Sequence, residues 1–250
     1  MVCLDFSFIT DCGIKRPINQ DYYYAQKLII SGEEAGFFVV ADGMGGHNKG
    51  EIASEMAVDS LKNYVLRHLN ENPHILGDLQ IMLSRAFYET NKIVFEESIK
   101  NEKFSGMGTT LIAAIINASR LIVANVGDSR AYVFREEGLY QLTIDNSYVQ
   151  ELVEKGVIRP EDARTHPQKN VITRAIGTDK HVRVDFYSKE LKKNDLIILC
   201  SDGLTNMVDD LEIENILKSC ENPKSCCNSL VELANKKGGK DNITIVCVVV

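Results

Sequence analysis

Apolar positions recur at helical spacing in two long stretches of the chain. Over residues 51–69 they are Ile52, Met56, Leu61, Tyr64, Val65 and Leu69, and over 75–99 they are Leu79, Met82, Leu83, Ala86, Phe87, Ile93 and Val94. Each set lines one side of a 3.6-residue helix, so the pattern predicts a helical hairpin. Two shorter helices are predicted near the C-terminus. Asp209 or Asp210 caps one that reaches Lys218, and Asn222 followed by Pro223 starts another that ends at Gly238 and Gly239.

Apolar, β-branched runs at 37–41, 109–117, 121–126, 131–135, 182–187, 196–200 and 243–250, most of them bounded by Gly, Asp or Asn, predict strands. They do not alternate regularly with helices. That argues against a parallel doubly wound sheet and for antiparallel sheets covered by helices. Residues 145–177 are polar, with SYVQELVEKG and RPEDARTHPQKN between the core runs, and predict a surface excursion carrying a short helix. No repeat, low-complexity tract or compositional break divides the chain, so residues 1–250 are expected to form a single domain with 145–177 as an inserted subdomain.

Composition narrows the function. With 28 Lys and Arg against 35 Asp and Glu the net charge is −7, which excludes a nucleic-acid binder held mainly by global charge. At 44% hydrophobic and 25% charged the chain is not of a disordered class. Its first residues, MVCLDFSFIT, place Asp5 where a signal peptide needs a cationic start. The run 243–250 is far shorter than the roughly 20 apolar residues that span a bilayer. Seven cysteines (Cys3, Cys12, Cys200, Cys220, Cys226, Cys227, Cys247) form no C-x-x-C pair, and several lie in runs such as LIILC and IVCVVV; they read as reduced core thiols of a cytoplasmic protein.

The chemistry lies where aspartates meet strand ends. FFVVADG, LIVANVGDS and DLIILCSDG put Asp42, Asp128 and Asp202 at the ends of apolar runs, and GGKDNITIVCVVV puts Asp241 just before one. Acids at strand ends lie at a sheet rim, and where rims coincide the carboxylates converge and repel. A divalent cation resolves that repulsion, and an all-oxygen set without zinc-like His and Cys spacing points to Mg²⁺ or Mn²⁺. Asp-Gly is also a common turn, so spacing alone fits both a metal site and four ordinary turns. Arg16, five residues before Asp21 in RPINQD, suits bidentate contact with phosphate, or a surface turn made by Pro17. The loop DGMGGHNKGE matches neither G-x-G-x-x-G nor a P-loop.

Seven motifs in order carry a family resemblance: RPINQD (16–21), ADGMGGHNKGEIAS (41–54), GMGTT (106–110), NVGDSRAY (125–132), THPQKNVITRAIG (165–177), LCSDGL (199–204) and KDNITIV (240–246). They resemble the metal-dependent serine/threonine protein phosphatases of type 2C in their short bacterial form. The resemblance implies an α+β fold, a four-layer αββα sandwich of two antiparallel sheets flanked by helical pairs. It implies two Mn²⁺ or Mg²⁺ ions at the core site and a position for a third. Asp42 would bridge the two, Asp202 and Asp241 would complete the first, and the Gly43 carbonyl would serve the second. Asp128 with Asp202 matches the third position. Asp21 would orient metal-bound water, Arg16 would hold the phosphate, and 145–177 would be the flap.

The implied reaction is hydrolysis of phosphoserine and phosphothreonine in proteins by a hydroxide bridging the two metals, opposing a bacterial Ser/Thr protein kinase. His47 and His166, in loops expected near the site, are candidates for substrate contact and leaving-group protonation; a metal-bound water is the simpler donor. Cys200 is expected to fill the core rather than act as nucleophile. Three residues depart from the family pattern: Gln20 for a common Glu, Met44 for the His of eukaryotic members, and Asn146 for the His of a D-H-S motif. Alternatives are a catalytically silent relative that binds phosphoproteins and a phosphatase of small phosphoesters. Nothing in the pattern marks a coiled coil or an interface stripe, so a monomer is expected.

Overall fold

A computed structural model describes residues 4–45, 49–72, 79–136 and 138–250. In chain order the elements are β1 (Asp5–Asp11), β2 (Asp21–Ile30), β3 (Glu33–Met44), α1 (Lys49–Glu71), α2 (Leu79–Lys100), β4 (Gly108–Thr109), β5 (Leu111–Asn117), β6 (Arg120–Val126), β7 (Arg130–Arg135) and β8 (Gly138–Gln141). They continue with α3 (Tyr148–Glu154), α4 (Pro160–Ala163), β9 (Asp185–Glu190), β10 (Leu196–Cys200), α5 (Asp202–Thr205), α6 (Asp210–Ser219), α7 (Pro223–Lys236) and β11 (Ile243–Val249).

Two antiparallel sheets form the centre. One runs β1-β11-β10-β7-β8; the other runs β2-β3-β5-β6-β9, with β4 added on β3. Central strands bury both faces, which is why they read as unbroken apolar runs. In β5, Leu111, Ala113 and Ile115 face α1 and α2 while Ile112, Ala114 and Ile116 face the second sheet. In β11, Val246 and Val248 face the other sheet and Ile243, Ile245 and Cys247 pack beneath α6 and α7. Three apolar layers between four layers of structure follow, as the α+β sandwich reading expects.

The helical hairpin falls at Lys49–Glu71 and Leu79–Lys100, and the start expected for its second helix, 75–78, lies outside the described residues. Asp209 rather than Asp210 caps α6: it accepts from the Glu212 N–H at 2.9 Å while Glu212 reaches back to the Asp209 N–H at 3.0 Å. Asn222 caps α7 with Pro223 at its first position. The strand expected at 182–187 instead occupies Asp185–Glu190, because Val182 and Val184 pack onto the core as irregular chain before pairing with β6 begins. β1, β2 and β8 have no counterpart in the apolar pattern. Each is half exposed, so none presents an apolar run. Residues 145–177 form an excursion with two short helices, tied down by bridges between Ser147 and Ile172 and between Thr109 and Ile176.

Candidate metal centre

Antiparallel register decides which strand ends share a rim. Asp21 opens β2 directly opposite Asp42 near the end of β3, while Leu111 opposite Val126 brings the end of β6, and so Asp128, to the same edge. In the other sheet Cys200 pairs with Ile245, which sets the end of β10 and the start of β11 together, and with them Asp202 and Asp241. A bond from Ser201 Oγ to Asp21 Oδ2 at 2.7 Å joins the two rims. Arg16, Gln20, Asp42, Gly43, Met44, Thr110, Asp128, Asp202 and Asp241 line one cavity of about 240 Å³. Asp21 lies beneath it, buried. His166 is not in this lining: its Nδ1 accepts from the Gln168 N–H at 3.1 Å and its ring lies against Tyr148. His47 lies outside the described residues, as does Cys3.

The backbone around each acid is clamped. Thr110 Oγ1 accepts from the Asp42 N–H at 2.9 Å, and the Thr110 N–H and Thr109 Oγ1 both donate to the Asp42 carbonyl at 2.9 Å. This is what the two threonines of GMGTT do. Arg16 reaches the site because its loop is docked onto the turn before β11. The Gly239 carbonyl accepts from the Ile14 and Lys15 N–H groups at 2.8 and 3.0 Å, and Asn242 Nδ2 donates to the Cys12 and Ile18 carbonyls at 2.9 and 3.0 Å. Gly13, at φ +74, passes so close that a Cβ there would sit 2.2 Å from the Asp241 carbonyl oxygen. Arg16 Nη2 then donates to Asp241 Oδ2 at 2.8 Å.

Asn146 ties the insert to the turn carrying Asp128. Its Oδ1 accepts from the Gly127 N–H at 3.0 Å, its N–H donates to the Gly127 carbonyl at 2.9 Å, and its Nδ2 donates to Asp185 Oδ2 at 3.0 Å. Sequence reasoning singled out Asn146 only as a departure. Thr110, Ser201, Asn206 and Asn242 were missed as supporting groups, although the motifs TT, CSD and KDN already contained three of them.

Electrostatics mark the cavity as short of positive charge. Burial, then repulsion from Asp21, Asp202, Asp128 and Asp241, holds the Asp42 carboxyl well above the usual range. Burial and the charges of Asp202 and Asp145 raise Asp128, and burial and Asp241 raise Asp202. Asp21 is pushed up to about 7 by burial, with Ser201 and Thr244 hydroxyls working against it and Asp202 and Asp241 adding to it. Cys200 is pushed up to about 12 by burial, so its thiol stays protonated and is no nucleophile.

The donor set fits hard divalent cations. Every acidic group lining the cavity offers oxygen, and Asp21 Oδ1 and Asp202 Oδ1 are buried without a hydrogen-bond partner. Among the described residues no three His, Cys, Asp or Glu side chains already close on a common point. Instead the carboxylates stand around the cavity on neighbouring donors, Asp241 on Arg16, Asp202 on Asn206 and Asp21 on Ser201.

Fold and site together define an α+β sandwich with an acidic, arginine-flanked cavity at one rim. Residues 15–229 match the family model of protein phosphatase 2C, and the chain belongs to that family. It is 43% identical to the serine/threonine phosphatase stp of Listeria monocytogenes, over 96% of this chain and 94% of that protein. The serine/threonine phosphatase of S. agalactiae superposes with a TM-score of 0.90 at 35% identity, covering 99% of this chain and 100% of that one. A structure of the catalytic domain of the phosphatase PstP in complex with two manganese ions superposes with a TM-score of 0.84 at 33% identity, covering 98% of this chain and 97% of that one.

Proposed function

We propose that this protein is a metal-dependent serine/threonine protein phosphatase whose active site is the carboxylate cavity. The observation that carries the reading is the meeting of Asp21, Asp42, Asp128, Asp202 and Asp241 beside Arg16, on a chain of the protein phosphatase 2C family. Asp42, Asp202, Asp241 and the Gly43 carbonyl would hold two Mn²⁺ or Mg²⁺ ions, and Asp128 with Asp202 a third. Such ions lower the pKa of water and neutralise charge developing on phosphoryl oxygens.

The chain's own residues do the rest. Arg16, half exposed at the cavity mouth, offers a planar fork for two phosphate oxygens. Asp21 sits on Ser201 with its other oxygen unpartnered, able to orient a proton donor in the site. The threonine clamp keeps Asp42 from following substrate movement. Residues 145–177 flank the cavity through Asn170 and Ile172 and would act as the flap, all within a single catalytic domain spanning 1–250. His166 contacts substrate only if the flap turns it inward.

Phosphorylated proteins of a bacterial cytoplasm are the proposed substrates, with a Ser/Thr protein kinase opposing the enzyme. The described cysteines are all free thiols, which suits a reducing compartment, and no described helix is long and apolar enough to cross a membrane. The test is turnover of an aryl phosphate and of a phosphothreonine peptide by the purified protein with Mn²⁺, expected to stop with excess chelator. Undiminished turnover in chelator would falsify the metal mechanism, and turnover of phosphorylated metabolites alone would replace the protein substrate.

A further inference from the structure

Asn206 ends the short helix that Asp202 begins, and it closes back on Asp202 twice. Its backbone N–H donates to the Asp202 carbonyl at 2.7 Å, and its side-chain Nδ2 donates to Asp202 Oδ2 at 2.8 Å. On its other side, Asn206 Oδ1 accepts from Lys169 Nζ at 3.2 Å. The amide orientation is set by its neighbours: an ionised carboxylate only accepts and an ammonium only donates, so nitrogen must face Asp202 and oxygen must face Lys169. With Oδ2 held, rotation of the Asp202 carboxylate costs a charge-assisted hydrogen bond. Oδ1 is left as the oxygen with no partner.

Lys169 belongs to the insert 145–177, and so does Arg164, whose Nη2 donates to the Thr205 carbonyl in the same short helix at 3.2 Å. Neither cation forms an ion pair with a carboxylate among the described residues. Both spend their charge on uncharged oxygens of the segment that presents Asp202. With Asn206 and Asp202 they line a cleft of about 300 Å³ between the insert and the sheets, adjoining the carboxylate cavity.

We propose that Asn206 is a positioning residue that orients Asp202 toward a divalent cation and, through Lys169, makes affinity for that cation depend on the insert being seated on α5. The inference rests on Asp202 being a cation ligand, as the proposed function has it. Groups that hold a ligand's second oxygen fix its direction, and losing them typically weakens metal binding about 10- to 100-fold. The lysine also has an opposite effect, since its charge disfavours a nearby cation through space. The two are separable, because a through-space effect survives the removal of Asn206 and a relayed one does not.

The test is a Mn²⁺ titration of the full chain without phosphoester, following the free-ion paramagnetic resonance signal. Asn206→Ala and the nearly isosteric Asn206→Leu are expected to weaken binding about tenfold or more. Lys169→Met is expected to weaken it roughly threefold in the unaltered chain and to tighten it slightly in the Asn206→Ala background, where only the through-space effect remains. Lys169 is partly exposed, so its variant remains readable if substitution at 206 lowers the yield of folded protein. Unchanged Mn²⁺ affinity in a folded Asn206 variant overturns the positioning role, and a Lys169→Met effect that is the same with and without Asn206 overturns the coupling. If the unaltered chain binds no Mn²⁺, this inference and the functional reading fall together. A chain that binds Mn²⁺ with these changes yet hydrolyses no phosphoester supports the inference and sinks only the phosphatase reading.

Discussion

Asp21 and Asp42 face each other across β2 and β3, where like charges destabilise a sheet unless a proton or a cation separates them. Without metal, protons take that place. Asp21 titrates at about 7 in the fold against about 3.9 in an unfolded chain, so over this interval the folded form binds a proton that the unfolded form has released. Stability of the metal-free protein is therefore expected to fall as pH rises from about 4 to 7, with Asp42, Asp128 and Asp202 pulling in the same direction. Scanning calorimetry in chelator between pH 5.5 and 7.5 checks this, and a melting temperature that rises across the range contradicts it. Mn²⁺ should flatten the slope by replacing the protons. Asp202→Ala removes a carboxylate from the crowded set, and kcat/KM is expected to drop about 100-fold or more, several kcal/mol of lost transition-state stabilisation. Turnover at the unaltered rate would refute the site.

At the scale of elements, local chemistry explains most of what was legible. The capping box at Asp209 and Glu212, the Asn222-Pro223 start and the central apolar strands are written in neighbouring residues, and the structure places them within a few positions of the expectation. The edge strands β1, β2 and β9 were missed or displaced because an edge strand shares its exposed side with water and carries no unbroken apolar run. Their pairing is decided by the neighbouring strand. The caps supply an independent check: Asp209→Ala is expected to destabilise the fold by about 1 kcal/mol. For a chain of this size that corresponds to a melting temperature lower by about 2–4 °C, with kcat per folded molecule retained because Asp209 does not line the carboxylate cavity. A loss of turnover equal to that of Asp202→Ala would mean that α6 takes part in the chemistry.

For the whole molecule, the charge of −7 is unevenly spread, with five aspartates gathered at one rim where the two sheets meet. A cation binding there and not to the unfolded chain stabilises by mass action, about 2.7 kcal/mol at a hundred times its dissociation constant. Saturating Mn²⁺ is therefore expected to raise the melting temperature by about 5–10 °C, while Asp202→Ala should show a much smaller rise. An equal rise in both proteins would place the ion elsewhere. The sequence by itself determined the helical pairs, the central strands and the aspartates at their ends, because periodicity, caps and turn residues are properties of neighbours along the chain, while the order of the layers came from the family resemblance of its motifs. Only tertiary structure decided that Asp21 stands opposite Asp42, that Arg16 meets Asp241, that Asn146 anchors the turn of Asp128, and that Asn206 joins Asp202 to Lys169. Those contacts span up to 225 positions and depend on strand register and on how two sheets meet, which no local pattern encodes.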